Sequence, residues 1–237
     1  MRIQIRWAAR IAACALLAAG ISTTAHAALV DVAFYNSGYG GTQPTGAAVL
    51  GQAGDQWNWI DAASCPGCPT NTALLDTQGN ATGITLNFTA DGAVPSATVG
   101  TQPDPDLMNN YLFNNSGGDI TLTLAGLAPN SNYGLVMYVS SFDASGGDRS
   151  LTGSANGTPF SATGDPQSTF VNGQNVVELA VTSDGSGTLS ITESEGPLNT
   201  KSEVDFNGLQ LTTTPEPATF GLLCVGGILA AWKRRRR

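Results

Sequence analysis

Between residues 28 and 214, apolar side chains recur at every second position in short runs, and Gly, Asn, Asp and Pro separate those runs. The segments "LVDVAF", "GITLNFT", "DITLTLAGL", "YGLVMYVSSF", "NVVELAVT", "GTLSIT" and "VDFNGLQLT" all show this period or are rich in β-branched residues. Such patterning predicts strands with one face buried. No segment of the body sustains a 3.6-residue period, so several short strands without intervening helices point to an all-β, two-sheet sandwich of jelly-roll type. "LTLAGLAPNSNYGLVMYVSSF" predicts strand, tight turn, strand, and "LLDTQGNATGITLNF" predicts a turn feeding a strand. "VNGQNVVELAVTSDGSGTLSITES" is expected to form a hairpin that turns at "SDGSG".

The two ends break the pattern. "MRIQIRWAAR" carries Arg2, Arg6 and Arg10, an apolar "IAACALLAAGIS" follows, and "AHA" ends the stretch with small residues. This is the layout of a secretory signal peptide, with cleavage expected after Ala27. At the other end stand Pro215, Glu216 and Pro217, an apolar run from Thr219 to Trp232, and Lys233, Arg234, Arg235, Arg236 and Arg237. The run would make about 21 Å of helix, a short span for hydrocarbon about 30 Å thick, which flanking residues can extend by snorkelling. The basic cluster would stay cytoplasmic as a stop, leaving the body across the membrane. The two prolines hold Glu216 extended outside the helix, where a membrane-embedded protease could grip it. The expected organisation is a signal peptide at 1–27, a β-sandwich domain at 28–212 and a sorting tail with one short membrane helix at 213–237.

That tail resembles the PEP-CTERM sorting signal: Pro-Glu-Pro, an apolar helix and a terminal Arg cluster, in that order. The resemblance implies an exosortase substrate, handled by a membrane protease in the inner membrane of a Gram-negative bacterium. It further implies transient inner-membrane anchoring before delivery to the cell surface or an exopolysaccharide matrix. Within the body, the Gly-Leu-x-Pro-Asn-x-x-Tyr run and the closing "VDFNGLQL" resemble β-sandwiches of the galactose-binding-like type, an architecture common among secreted carbohydrate-binding modules.

Charge narrows the partners. Of the ten Lys and Arg, only Arg149 and Lys201 lie in the body, and of eighteen acids only Glu216 lies outside it. A body near −15 repels phosphates, which argues against nucleic acid, and draws cations. Structural calcium, the one cofactor considered, would use Asp104, Asp106, Asp143 and Asp148 in two oxygen-rich loops, although neither loop follows the EF-hand spacing. The only histidine, His26, leaves with the signal peptide, so Ser-His-Asp and Cys-His chemistry are excluded from the mature body. Cys65 and Cys68 in "SCPGCP" are expected to oxidise to a small disulfide loop outside the cytoplasm. For glycans the available side chains are Trp57, Trp59, Tyr111, Tyr133, Tyr138 and Arg149. Trp57, Trp59 and Arg149 are the candidate contacts, against the alternative that the tryptophans plug the core and Arg149 pairs with a nearby acid. The sequence therefore points to a non-enzymatic exported module, with a secreted hydrolase using a carboxylate pair as the competing class.

Overall fold

Strand β1, Leu29–Tyr35, places Val30, Val32 and Phe34 on one face, yet Asp31 and Ala33 on the other face are equally buried. A strand covered on both sides is the first sign that a second layer lies outside the sandwich. The computed structural model describes residues 28–63, 68, 71–95, 103–115, 117–140, 149–165 and 167–213. The segment Ala28–Thr214 is one compact unit. The signal peptide, the Pro215–Pro217 motif, the apolar run and the terminal cations lie outside the described residues, as do Cys65, Asp143 and Asp148.

The remaining strands are β2 (Asn58–Asp61), β3 (Thr72–Leu75), β4 (Ala81–Thr89), β5 (Gly92–Pro95), β6 (Asn110–Asn115), β7 (Ile120–Ala125), β8 (Asn132–Tyr138), β9 (Leu151–Ala155), β10 (Thr158–Ala162), β11 (Val176–Thr182), β12 (Thr188–Glu195), β13 (Glu203–Phe206) and β14 (Gly208–Thr213). One four-residue helix, α1 (Pro105–Met108), precedes β6. A five-stranded sheet runs β11-β8-β14-β1-β2 and a six-stranded sheet runs β10-β9-β12-β7-β4-β3. All neighbours are antiparallel except β1 and β2, whose parallel pairing requires a long return loop. The fold is thus the expected all-β sandwich, with a third, three-stranded sheet, β13-β6-β5, added to it.

The faces meet in one apolar core. Val32, Phe34, Leu135 and Leu209 come from the five-stranded sheet, Leu86, Phe88, Leu122 and Ile191 from the six-stranded one, and Leu112 and Phe206 from the third. Phe34 makes edge-on contacts with Phe88 and Phe206 at centroid separations of 5.1 and 6.1 Å, tying all three sheets at one point. A second cluster covers the outer face of the five-stranded sheet. Ala33, Val136, Tyr138 and Val176 meet Trp57, Leu107 and Met108 there, with Val49 and Leu50 packed against them. The long β1–β2 loop and α1 supply this cover. Asp104 caps α1 by accepting from the Leu107 amide at 3.2 Å, and Pro105 fits its first turn, where no donor is required.

The hairpin expected at "SDGSG" does not form. Strand β11 pairs with β8 in one sheet, whereas β12 pairs with β7 and β9 in the other, so residues 183–187 cross between layers. The physical reason is that both strands must turn apolar faces to the same core: Val177 and Val181 on one side, Leu189 and Ile191 on the other. The Asp184 carboxylate holds the arch by accepting from the Ser186 and Thr188 amides, both at 2.8 Å. A parallel arch joins β7 to β8. There the Tyr133 hydroxyl accepts from the Ala128 amide at 2.9 Å, and Ser183 donates to the Ala128 carbonyl at 2.6 Å.

Candidate functional site

The closing run Val204–Leu211 places three buried polar side chains, Asp205, Asn207 and Gln210, in the interior. Asn207, fully buried, sits where the chain leaves the three-stranded sheet and enters the five-stranded one. Its amide donates to the Met108 and Asn110 carbonyls at 3.0 and 3.1 Å, and its side-chain oxygen accepts from the Ser140 amide at 2.8 Å. Gly208 follows because a Cβ there would stand 2.3 Å from the Val32 carbonyl oxygen. On the outer face, Gln210 accepts from the Leu50 amide at 2.9 Å and donates to the Leu50 carbonyl at 3.1 Å and to Asp31 at 3.0 Å. Tyr138 donates to the same Gln210 oxygen and accepts from the Val49 amide. The loop carrying Val49 and Leu50 is therefore strapped down by side chains from two adjacent strands, β8 and β14, while Asp31 on β1 holds Gln210 in place. Burial pushes the Asp31 carboxyl up to about 7, opposed by its Gln210 bond and reinforced by nearby Asp55.

Asp205 faces a different neighbour. Arg149 bridges it and Glu203 at 2.7 and 2.6 Å, with the guanidinium almost wholly buried. Burial works against that charge, but Asp205 and Glu203 outweigh it and hold Arg149 above its ordinary proton affinity. Glu193 lies beneath β12 at the inward position after Leu189 and Ile191, fully buried, and neither carboxyl oxygen has a hydrogen-bond partner. Burial first, and Asp205 second, raise its pKa well above the carboxylate range.

These positions correct two of the glycan candidates. Trp57 is 3% exposed, its ring nitrogen donating to the Gly46 carbonyl at 3.0 Å, and it belongs to the outer cluster rather than to a ligand surface. Arg149 is committed to its two carboxylates. Trp59 is half-buried and gives one ring face to Tyr35, stacked at 4.7 Å and 4° from parallel. Cys68 is disulfide-bonded and packs on the core. Of the calcium candidates, Asp104 caps α1 and Asp106 follows in its first turn. Among the described residues no three His, Cys, Asp or Glu side chains converge on one point.

A surface hollow of about 210 Å³ lies between the 39–42 turn, Pro95 and the Pro105–Asn110 segment. Tyr39, on its rim, is 68% exposed, the most open large hydrophobic side chain among the described residues. Its turn is braced: the Tyr39 and Gly40 amides donate to the Asn36 carbonyl at 3.0 and 3.1 Å, and the Asn36 amide group donates to the Ala93 carbonyl at 2.8 Å. Tyr39 was not among the aromatic side chains singled out from sequence. The signal available was its setting among Gly, Ser and Thr, which provide no partners to bury it.

Beyond the last strand, residues 213–237 match the family model of the PEP-CTERM protein-sorting motif. The chain carries a PEP-CTERM signal. This PEP-CTERM segment begins at Thr213, the final residue of β14, and it implies export, transient membrane anchoring and processing by an exosortase, a membrane protease. No curated protein matches the sequence. Among solved structures, the ANXUR1 extracellular domain of Arabidopsis thaliana is similar at 12% identity and a TM-score of 0.41, over 52% of this chain and 38% of that one. A family 35 carbohydrate-binding module from an environmental isolate is similar at 14% identity and a TM-score of 0.33, over 52% of this chain and 91% of that one. A Bacillus subtilis protein is similar at 13% identity and a TM-score of 0.39, over 78% and 40%. Resemblances this distant transfer no activity.

Proposed function

We propose that this PEP-CTERM protein is an exported, non-catalytic β-sandwich module, cut near Pro215-Glu216-Pro217 by an exosortase-type protease and retained at the cell surface or in exopolysaccharide by glycan binding. The observation that carries the reading is the sorting motif at 213–237, attached directly to the closing strand of a sandwich. In this reading residues 1–27 are removed as a signal peptide, the cell is Gram-negative, and Cys65 and Cys68 form a small disulfide loop. Calcium enters only as a structural ion on Asp104, Asp106, Asp143 and Asp148, tested by chelation. A hydrolase needs two carboxylates opening on a cleft, whereas Glu193, the acid most favoured to hold a proton, lies sealed under β12.

The experiment replaces Pro215, Glu216 and Pro217 together with alanine and follows the chain by membrane fractionation and mass. The full-length variant should accumulate in the inner membrane, while the parent yields a shortened, surface or extracellular product. Normal release of the variant would refute exosortase handling.

A further inference from the structure

We propose that the hollow beside Tyr39 is a subsite for one neutral sugar ring of a polysaccharide. This rests on the glycan-binding reading above and gives it a place and a substrate class. At about 210 Å³, the hollow is smaller than the several hundred Å³ of sites that enclose drug-sized ligands, so it suits a single ring of a longer chain. Tyr39 presents a flat, open aromatic face at the rim, the surface on which sugar C–H groups stack, and its hydroxyl adds a polar edge. Because the turn beneath it is already hydrogen-bonded through Asn36, little ordering entropy remains to be lost when a ligand docks.

The floor of the hollow is polar. Asp106 offers an exposed carboxylate able to accept from neighbouring hydroxyls. Asn110 is 4% exposed, and its side-chain oxygen has no donor. That oxygen would stand 3.3 Å from a Cβ on Gly41. The oxygen lies just beneath the Gly41 backbone, at φ of 141°, where the lack of a side chain keeps the cover over it thin. A buried acceptor without a donor is costly, and a small shift of the 40–41 turn on docking would let a ligand hydroxyl satisfy it.

Other occupants fit less well. Among the described residues the lining has no Lys or Arg, and Asp106 sits on it, so phosphates, sulfates and uronic acids are repelled. Apolar area is confined to the rim and two prolines, which leaves no pocket for a peptide's hydrophobic anchor.

The test uses the full chain in detergent micelles and calorimetric titration with gluco-, galacto- and manno-hexasaccharides, with oligogalacturonate as the anionic comparator. At least one neutral oligosaccharide should bind. Tyr39→Ala and Asp106→Asn should each weaken that binding about tenfold or more, Tyr39→Phe should retain most of it, and Leu198→Ala, at another exposed apolar site, should change nothing. Melting curves confirm folding, since Tyr39 and Asp106 are exposed and their loss leaves the core intact. If the parent binds a neutral glycan and the Tyr39 and Asp106 variants bind equally well, the subsite is wrong and the glycan reading stands. If the parent binds none of the neutral probes, the glycan reading fails and the subsite fails with it. Preference for oligogalacturonate would overturn the neutral class.

Discussion

Glu193 should be a built-in weakness whose removal strengthens the domain. It occupies a core position between Ile120 on β7 and Gly153 on β9, fully buried and without a hydrogen-bond partner. A polar group buried without partners costs about 1–3 kcal/mol in proteins even when uncharged. Glu193→Leu, of similar volume and with nothing to satisfy, should recover about that amount. In a domain of this size each kcal/mol moves the melting temperature by about 2–4 °C, so a rise of about 2–12 °C is expected.

The pH dependence makes the reasoning sharper. The folded state raises the Glu193 pKa, so the native protein holds a proton that the unfolded chain releases near pH ~4.3. Stability conferred by the neutral form is therefore complete below that pH and declines as pH rises, by at most about 1.4 kcal/mol per unit for one proton. The margin between Glu193→Leu and the parent should start small near pH 4, widen upward, and level off once the native carboxyl ionises. Glu193→Gln should abolish the pH-dependent part without the gain at pH 4, because it stays polar and unpartnered. Urea unfolding followed by tryptophan fluorescence from pH 4 to 9 measures all three. A margin that is flat with pH, or a Leu variant weaker than the parent throughout, would refute the assignment of Glu193 as a buried, partnerless acid.

Two further outcomes follow from the same interior. Arg149→Ala leaves Asp205 and Glu203 facing each other without their cation, and breaking such a buried pair should cost about 3–5 kcal/mol, read by the same urea assay. Asp31, raised to about 7, adds a second loss of stability between pH ~4 and about 7. Asp31→Asn should flatten that window by about 4 kcal/mol while Gln210 keeps its partner, whereas an unchanged slope would show that the strap does not sense Asp31. The carboxylates of Asp61, Asp76 and Asp184 shift the opposite way, toward stability lost on acidification, but Asp184 is exposed and the other two are only half-buried, so solvent screens them.

Period-two alternation was a sound guide wherever one face of a strand meets the core, as in β4, β7 and β12. It failed to anticipate the third sheet because β6, "NYLFNN", buries Asn110 and Tyr111 alongside Leu112, so polarity no longer marks the outside. The layer crossing at 183–187 was equally invisible: a Gly-rich turn fits a hairpin or an arch, and only the core decides which. Trp57 stayed open between glycan contact and core plug because the loop that buries it sets one short apolar run, Ala48–Leu50, among Gly, Gln and Thr, and is held by Gln210 bonds that no pattern announces. Glu193 was legible in principle. Extending Leu189 and Ile191 by one more step places a carboxylate inward, a conflict between pattern and chemistry that marks a special position.

The register of β1 joins the sorting reading to the hollow. Leu29 pairs with Thr212 and Ala33 with Gly208, so the strand that opens the body and the strand that closes it share one end of the sandwich. The expected signal-peptide cut and the PEP-CTERM motif therefore both attach at that end. At ~3.3 Å per residue, seven residues of β1 carry the chain about 20 Å away before the turn that displays Tyr39. Every described strand also lies N-terminal to Pro215. Cleavage at the motif thus leaves each ladder whole, and Gln210, bonded to both Asp31 and Leu50, keeps the terminal strands locked after the tail is gone.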